Sequence, residues 1–213
     1  MKISQKQALL CAVATVALTT ATAAQAQQVT PGAVATGGRS VAVGDDATAT
    51  NLTTTAVGNN ADASGSAATA IGADSTASGG NSLAIGVGSS ATAARSIAIG
   101  NGAVSNGQSS IALGNGALAA SDSSTFIGSG AGGGSTGIRS TGVGTGAGSN
   151  STGEANTAFG FSSGQNVLGA RNTAVGSGNT GSGVVGQMNS SFGYAANYNT
   201  IGSFNTSMGV YAG

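Results

Sequence analysis

Three short stretches of this sequence have glycine and serine spacings that occur in catalytic or nucleotide-binding turns. Residues 133–137 read Gly-Gly-Ser-Thr-Gly, which fits the G-x-S-x-G turn that presents a nucleophilic serine in some hydrolases. Residues 128–133 and 176–181 both fit G-x-G-x-x-G, the turn that places a pyrophosphate at a helix N-terminus. The sequence has no histidine, so a Ser-His-acid triad cannot form, and neither glycine pattern leads into a helical segment. We therefore expect no enzyme and assign no catalytic residue.

Ligands for a metal or a cofactor are equally scarce. Cys11 is the only cysteine, and the six acidic residues are spread along the chain. Zinc sites need Cys or His ligands, and calcium sites need several oxygens close together. We therefore expect neither a metal nor a cofactor. A polysaccharide-acting enzyme would need a cluster of carboxylates, and Glu154 stands alone.

The N-terminus has the pattern of a secretory signal peptide. Lys2 and Lys6 precede an apolar and small-residue run over residues 8–24, and Ala24-Gln25-Ala26 is an A-x-A cleavage site. We predict that residues 1–26 are removed and that the remainder is exported. The exported part has four arginines, no lysine and six acidic residues, so its net charge is near −2 and nucleic acid is not an expected partner.

The dominant feature of the exported part is a repeat of fourteen residues. Each aliphatic motif ends in a glycine, which we take as position 0: Gly44, Gly58, Gly72, Gly86, Gly100, Gly114 and Gly128. Position −2 is alanine in six successive repeats, whereas position −1 is Val, Ile or Leu. This alternation of small and branched residues predicts a β-strand with two different faces.

A tight turn is predicted after each closing glycine. Position +2 carries residue types that tolerate a left-handed backbone: Asp46, Asn60, Asp74, Gly88, Gly102 and Gly116. Positions +3 and +5 then hold small residues around a variable position +4, which predicts a second short strand, and a looser turn is expected at +7. Two strands and two turns per repeat predict one coil of a flattened parallel β-solenoid.

The branched residues are too large for the thin interior that the alanines would fill. Position −1 is joined at position −3 by Val41, Leu83, Ile97 and Ile111. A monomer would expose these residues as an apolar patch, so we place them on an outer stripe that other subunits cover. The predicted subunit interface consists of Val43, Val57, Ile71, Ile85, Ile99 and Leu113.

The spacing changes to sixteen residues after Gly128, and two extra residues are expected to enlarge one turn. The register loosens over residues 177–187, whose conformation the sequence leaves open, and returns at Gly193 and Gly209. We divide the exported chain into a lead-in (27–39), a roll of 14-residue repeats (40–128) and a roll of 16-residue and irregular repeats (129–213). Gly213 falls in mid-repeat, so we expect a natural C-terminal part to be missing.

All four arginines of the exported part share position −5: Arg39, Arg95, Arg139 and Arg171. One interpretation is a solvated corner that discourages wrong strand register. The other is that symmetric subunits place the guanidinium groups in charge rings, which meet carboxylates such as Asp46 or Asp74 or bind an anion. The sequence leaves both interpretations open.

Several repeats resemble a known family. "RSVAVGDDATAT", "RSIAIGNGAVSNGQSSIALGNGALA" and "NTAVGSG" are similar to the head repeats of trimeric autotransporter adhesins, the YadA-like family, and the likeness runs from Ser40 onward. The resemblance implies an all-β fold, a left-handed parallel β-roll (β-solenoid) of 14- and 16-residue coils, in a side-by-side homotrimer. It also implies a cell-surface or secreted protein of a Gram-negative bacterium that attaches to an extracellular matrix protein, a glycan or an abiotic surface.

The C-terminal part departs from that family pattern. Nothing after Tyr198 has the heptads of a coiled-coil stalk, and no alternating, aromatic-capped strands of membrane length occur, so we expect no membrane insertion by this segment. A different class of function also fits a solenoid, namely a monomer that binds ice or a polysaccharide surface. Such a protein needs a regular outer ladder, but position +4 reads Thr48, Asp62, Thr76, Ser90, Val104 and Leu118.

Overall fold

The computed structural model describes residues 27–28 and 30–213, so the predicted signal peptide over residues 1–26 lies outside the described residues. The described chain contains short strands joined by turns, with no helix among these residues. In chain order the strands are β1 (Gln27–Gln28), β2 (Val34–Ala35), β3 (Val41–Val43), β4 (Thr48–Ala49), β5 (Thr55–Val57), β6 (Asp62–Ala63), β7 (Thr69–Ile71), β8 (Thr76–Ala77), β9 (Leu83–Ile85), β10 (Ser90–Ala91), β11 (Ile97–Ile99), β12 (Val104–Ser105), β13 (Ile111–Leu113), β14 (Leu118–Ala119), β15 (Thr125–Ile127), β16 (Thr141–Val143), β17 (Thr157–Phe159), β18 (Thr173–Val175), β19 (Ser190–Phe192) and β20 (Thr206–Met208).

The strands form two parallel sheets. The long sheet has 13 strands, which are β1, the odd-numbered strands from β3 to β15, and then β16 to β20; the short sheet has seven, the even-numbered strands from β2 to β14. Each strand pairs with its equivalent one coil away, as in Ile97↔Ile111 and Ala98↔Ala112. Residues 27–39 already take part, because β1 pairs with β3 and β2 with β4. The predicted all-β parallel solenoid is confirmed.

The alanine columns fill the interior of the 14-residue coils. Alanines at position −2, such as Ala84, Ala98 and Ala112, have no exposed surface, and those at +5, such as Ala91, are equally buried. The serine at position −4 also points inward, and in Ser40, Ser96 and Ser110 its hydroxyl donates to a carbonyl of the preceding turn, at 2.7 Å between Ser96 Oγ and the Ala93 oxygen. Side chains with one heavy atom or a small hydroxyl are therefore what this thin interior admits.

Both turns of the coil use left-handed residues. At position +2, φ is 53–56° for Asp46, Asn60 and Asp74 and 60–63° for Gly88, Gly102 and Gly116. In the 14-residue coils the looser turn begins at position +7, and its left-handed residue lies two residues later, at position −5 before the next closing glycine. In every coil the residue at position −5 is a residue other than glycine. Its φ lies between 54° and 64° in Arg39, Thr53, Ala67, Asn81, Arg95, Ser109, Ser123, Arg139, Ala155, Arg171, Met188 and Phe204.

The 16-residue coils keep the long sheet and change the return path. After β14 the short sheet ends, and a series of turns replaces it. The second side of these coils is instead held by the isolated parallel bridges Thr152↔Leu168, Leu168↔Val185 and Val185↔Ile201. The extra residues therefore do more than enlarge one turn, because they move the second backbone ladder to a later position in the coil.

Phe126 stands where the interior changes width. It occupies position −2, between Ala112 of the coil before and Gly142 of the coil after, and is 2% exposed. A Cβ atom added to Gly132 would lie 2.6 Å from the ring carbon Cδ2, one added to Gly142 would lie 2.6 Å from Cδ1, and one added to Gly148 would lie 2.9 Å from Cε1. Three glycines thus leave the space that this ring fills, and we call Phe126 with Gly132, Gly142 and Gly148 the phenyl plug.

An asparagine ladder runs through the interior beyond the phenyl plug. Position −4, a serine or threonine in most earlier coils, is here Asn156, Asn172, Asn189 and Asn205. The Oδ1 atom of each of the first three accepts hydrogen bonds from the backbone N–H and the Nδ2 of the next, as between Asn172 and Asn189 at 3.0 Å for both bonds. These first three asparagines, together with Val167, Val184 and Phe126, line a cavity of about 10 Å³ in this wider interior.

Candidate interaction surfaces

The outward face of the long sheet is the largest repetitive surface. We call the side chains at positions −3 and −1 the ladder face. Its −1 column contains the predicted interface residues Val43, Val57, Ile71, Ile85, Ile99 and Leu113 in parallel register, all pointing away from the alanine interior. Ile71 and Leu113 are each 38% exposed and the other four are half-buried. Within the single chain, none of the residues that the structure describes packs over the ladder face, so it is an apolar surface available for assembly.

The chemistry of the ladder face changes along the solenoid. Its −3 column holds leucine or isoleucine at Leu83, Ile97 and Ile111 and then becomes a row of hydroxyls: Thr125, Thr141, Thr157, Thr173, Ser190 and Thr206. The −1 column stays apolar throughout, with Phe159, Phe192 and Met208 in the later coils. The branched residues of the −3 column were identified from the sequence, but the threonine row that continues it was not.

The arginine column lies at an exposed corner, and the structure does not gather it into one cluster. Arg139 and Arg171 each form a salt bridge with Glu154, at 3.1 and 3.4 Å, between side chains that stay 37–62% exposed. Arg95 Nε donates to Ser109 Oγ at 3.0 Å, and Arg39 is exposed. All four have positive φ, so this column belongs to a turn.

The carboxylate that meets arginine in the described chain was not anticipated. Asp46 and Asp74, the partners named from the sequence, lie in the turn at position +2, where Asp74 accepts a hydrogen bond from Asn60 at 3.1 Å. Glu154 lies at position −6, beside the arginine corner. Glu154 follows Arg139 by 15 residues and precedes Arg171 by 17, so each separation differs from one 16-residue coil by one residue. This spacing places Glu154 beside both arginines on neighbouring coils and could have identified it from the sequence.

An aromatic edge is the second exposed feature. Phe161 and Tyr194 directly follow their closing glycines, Tyr211 follows Gly209 by two residues, and they are 61%, 47% and 71% exposed. We call these three residues the tyrosine edge. The rings of Tyr194 and Tyr211 meet edge to face, with centroids 5.5 Å apart. The sequence shows that aromatic residues are enriched near this end, but only the coil geometry brings these three to one edge.

The motifs that suggested chemistry are placed as follows. Ser135, the serine of Gly-Gly-Ser-Thr-Gly, is 4% exposed and its hydroxyl donates to the carbonyl of Gly148 inside the coil. The two G-x-G-x-x-G stretches form turns between strands of the long sheet. No group of three or more potential metal ligands occurs among the described residues, and none of these residues forms a helix with the length and apolarity that a membrane crossing needs.

Comparison with known proteins supports the resemblance that the repeats suggested. The YadA head domain repeat (2 copies) matches residues 35–61, 49–75, 63–89, 77–103 and 105–131, in steps that follow the 14-residue coil. The matches cover the coils that precede the phenyl plug and extend five residues beyond Phe126. A search of the curated proteins found no match to this chain. The matches over residues 35–131 therefore support a head region of the YadA-like trimeric autotransporter adhesins.

Proposed function

We propose that this chain is the head of an adhesin, which assembles as a side-by-side homotrimer outside the cell and attaches to host matrix or other surfaces. The observation that carries the proposal is the inverted distribution of side chains: alanine and serine fill the interior, whereas Val, Ile and Leu line the ladder face. The YadA head repeats support the same conclusion, since they indicate an adhesin-type surface protein.

Burial of the ladder face explains why assembly would stabilise the fold. Burying a Val, Leu or Ile side chain contributes about 1.5–3 kcal/mol relative to leaving it exposed. Residues such as Ile71 and Leu113 keep about a third of their surface in water in the single chain, while the alanines behind them contribute little apolar area. Assembly through this face would therefore supply the hydrophobic contribution that the thin interior lacks.

Absolute molar mass by light scattering, measured over a concentration series, tests the assembly. We expect a stable trimer, and we expect Ile99→Lys to dissociate it because the ammonium group would lie within the apolar contact. Val104→Lys is the matched control, since Val104 lies on the outer face of the short sheet and is half-buried like Ile99. A well-folded monomer in the parent chain, or equal dissociation by both variants, would contradict a trimer formed by the ladder face.

Attachment is expected to depend on many equivalent weak contacts along the solenoid. Repetition multiplies contacts, so avidity compensates for low affinity at each coil. Shortening the 14-residue region by one, two and three whole coils should lower retention on a surface coated with matrix proteins in graded steps. An abrupt loss on removing a single coil would instead indicate one localised site.

The alternative function, a monomeric surface-binding solenoid, is favoured by one observation. Thr125, Thr141, Thr157 and Thr173 form a regular hydroxyl row, which the irregular +4 column does not provide. A parallel sheet repeats such a row about every 4.8 Å, as a flat crystalline or polymeric surface would require. Because this row lies on the ladder face, it is free only in a monomer, and the same light-scattering experiment separates the two functions.

A further inference from the structure

We propose that the tyrosine edge, formed by Phe161, Tyr194 and Tyr211, is a binding site for a neutral, extended chain of pyranose sugars. Phe161 and Tyr194 occupy the same position two coils apart, so their backbones are about 10 Å apart along the solenoid axis. Tyr211 continues the row at the next coil. A row of rings along one edge suits a linear ligand that lies along the solenoid.

The central ring of this row is held in place before any ligand arrives. Tyr194 lies over Gly178 of the preceding coil, where an added Cβ would be 2.6 Å from the ring carbon Cζ. On its other side Tyr211 contacts it at an interplanar angle of 81°. Two neighbours therefore fix the orientation of Tyr194 while it remains 47% exposed, and a pre-organised ring loses less conformational entropy on binding.

The surroundings of the tyrosine edge select for an uncharged ligand. Residues 155–213 include all three rings and contain one charged residue, Arg171, which belongs to the arginine column, and the turns beside the rings supply Ser177, Asn179 and other neutral polar groups. Tyrosine with Ser, Gly and Asn is the combination that gives rigid amphipathic contact together with adaptable hydrogen bonding. A pyranose ring matches both parts, because it presents a C–H face to an aromatic ring and hydroxyls to polar neighbours.

Backbone pairing favours a sugar over a peptide at this edge. The backbone N–H groups of Gly193, Ala195 and Tyr211 donate to carbonyls of the preceding coil at 2.9–3.2 Å, and the carbonyl of Tyr194 is the acceptor for Tyr211. An extended peptide that binds by strand addition needs free N–H and C=O groups. Rings and side-chain polar groups are what this edge offers instead.

The test uses cellohexaose and chitohexaose as neutral probes and a hyaluronan hexasaccharide as an anionic one, with the purified full chain and calorimetry or ligand-observed NMR. We expect at least one neutral probe to bind and the anionic probe to bind at least tenfold more weakly. Tyr194→Ala should weaken binding about fivefold or more, whereas Tyr194→Phe should retain most of it because the ring remains. Tyr198→Ala is the matched control, with a similarly exposed tyrosine (49%) outside the row.

A structural variant separates the ring's position from its presence. Gly178→Ala keeps every aromatic residue but displaces Tyr194, and it should also weaken binding, with circular dichroism confirming that the coils remain folded. The proposal is overturned if neither neutral probe binds, if Tyr198→Ala weakens binding as much as Tyr194→Ala, or if Tyr194→Ala dissociates the assembly. The binding results do not depend on the ladder face, and dissociation by Tyr194→Ala would show that the tyrosine edge is a subunit contact, so failure of this proposal is distinguishable from failure of the adhesin proposal.

Discussion

The 14-residue and the 16-residue coils share the long sheet, which we call the shared side, and differ in the side chains that pack behind it and in the return path of the chain. The long sheet runs through both regions in unbroken register from β3 to β20. Behind it, alanines with no exposed surface fill the first region, while Phe126, Val167, Val184 and an asparagine ladder fill the second. The closing glycine and the ladder face thus define the repeat, whereas the residue types of the interior can change without altering the pairing of the long sheet.

The two interiors are stabilised in different ways. In the first region the side chains add few contacts, so the coils depend on the backbone ladder and on neighbouring coils. In the second, each asparagine joins the coil before it to the coil after it through side-chain hydrogen bonds, for which a net contribution of about 0.5–1.5 kcal/mol each is typical. Substitutions inside the solenoid should therefore affect the two regions unequally, and substitutions on the shared side should affect them equally.

The phenyl plug gives the largest expected effect, because it joins the two interiors. Phe126→Ala removes a ring that three glycines surround, and we expect a loss of about 3–5 kcal/mol in the free energy of unfolding. Guanidinium unfolding at fixed protein concentration measures this loss, and hydrogen exchange shows where protection falls. Phe126→Leu should cost less, since it fills part of the space. An unchanged midpoint for Phe126→Ala would mean that the two interiors are independent.

The shared side is tested next, by the same substitution in both regions. A Cβ at Gly100 or at Gly144 would lie 2.6 Å from the carbonyl carbon of the closing glycine one coil further on, and φ at both is near +130°. We expect Gly100→Ala and Gly144→Ala each to cost about 3 kcal/mol, because backbone of the neighbouring coil must move.

Gly102→Ala is the control for these two variants. Position 102 also has positive φ, but an added Cβ would meet no atom within 4 Å, so a cost of only about 1 kcal/mol is expected. Thermal unfolding of the three variants at one concentration compares them. A large difference between Gly100→Ala and Gly144→Ala would show that the long sheet is not equivalent in the two regions.

Much of the shared side could be predicted from the sequence, because every coil repeats the same requirement. Seven glycines at intervals of fourteen placed the strands, the alanine interior and the outward branched residues. The arginine corner was located, but its left-handed backbone was not anticipated, because no glycine marks it. There the side chain points to solvent, so any residue type satisfies the turn at a small conformational cost.

The interior of the second region was harder to predict from the sequence. Phe126 breaks an alanine column, and the compensating glycines are distributed over positions 132, 142 and 148, so no single coil shows the match. The asparagine column at −4 was visible, but its direction was not, since asparagine is common on surfaces and in turns. A pattern within one coil predicts the backbone, whereas complementarity between coils requires the structure.

The asparagine ladder and the serine column test the difference between the interiors at one position of the coil. Asn172→Ala removes the acceptor of the Asn189 N–H and Nδ2, and both partners are buried, so we expect a loss of about 2–3 kcal/mol. Ser96→Ala is the equivalent change in the first region, where Ala68 already occupies position −4 in a buried site. We expect it to cost less than about 1 kcal/mol.

Hydrogen exchange localises the effect of these two substitutions. Protection should fall around residues 156–205 in Asn172→Ala and stay unchanged over 40–128, because each coil interacts mainly with its neighbours. Protection lost in both regions would mean that the solenoid unfolds as one unit. Equal losses of stability in the two variants would mean that the asparagine ladder adds nothing beyond the serine column.

The smallest expected effect concerns the arginine corner, where the two regions also differ. Glu154 bridges Arg139 and Arg171 in the second region, whereas Arg95 in the first has the neutral partner Ser109. Glu154→Gln should cost less than about 1 kcal/mol, since exposed ion pairs contribute little. The cost should disappear in about 1 M salt, where charges are screened within about 3 Å.

Arg95→Gln is the control, because a hydrogen bond to a hydroxyl has no second charge to screen. Its effect on the melting temperature should therefore be the same at low and high salt. A salt-independent cost of Glu154→Gln would show that the charge of Glu154 does not account for its contribution to stability.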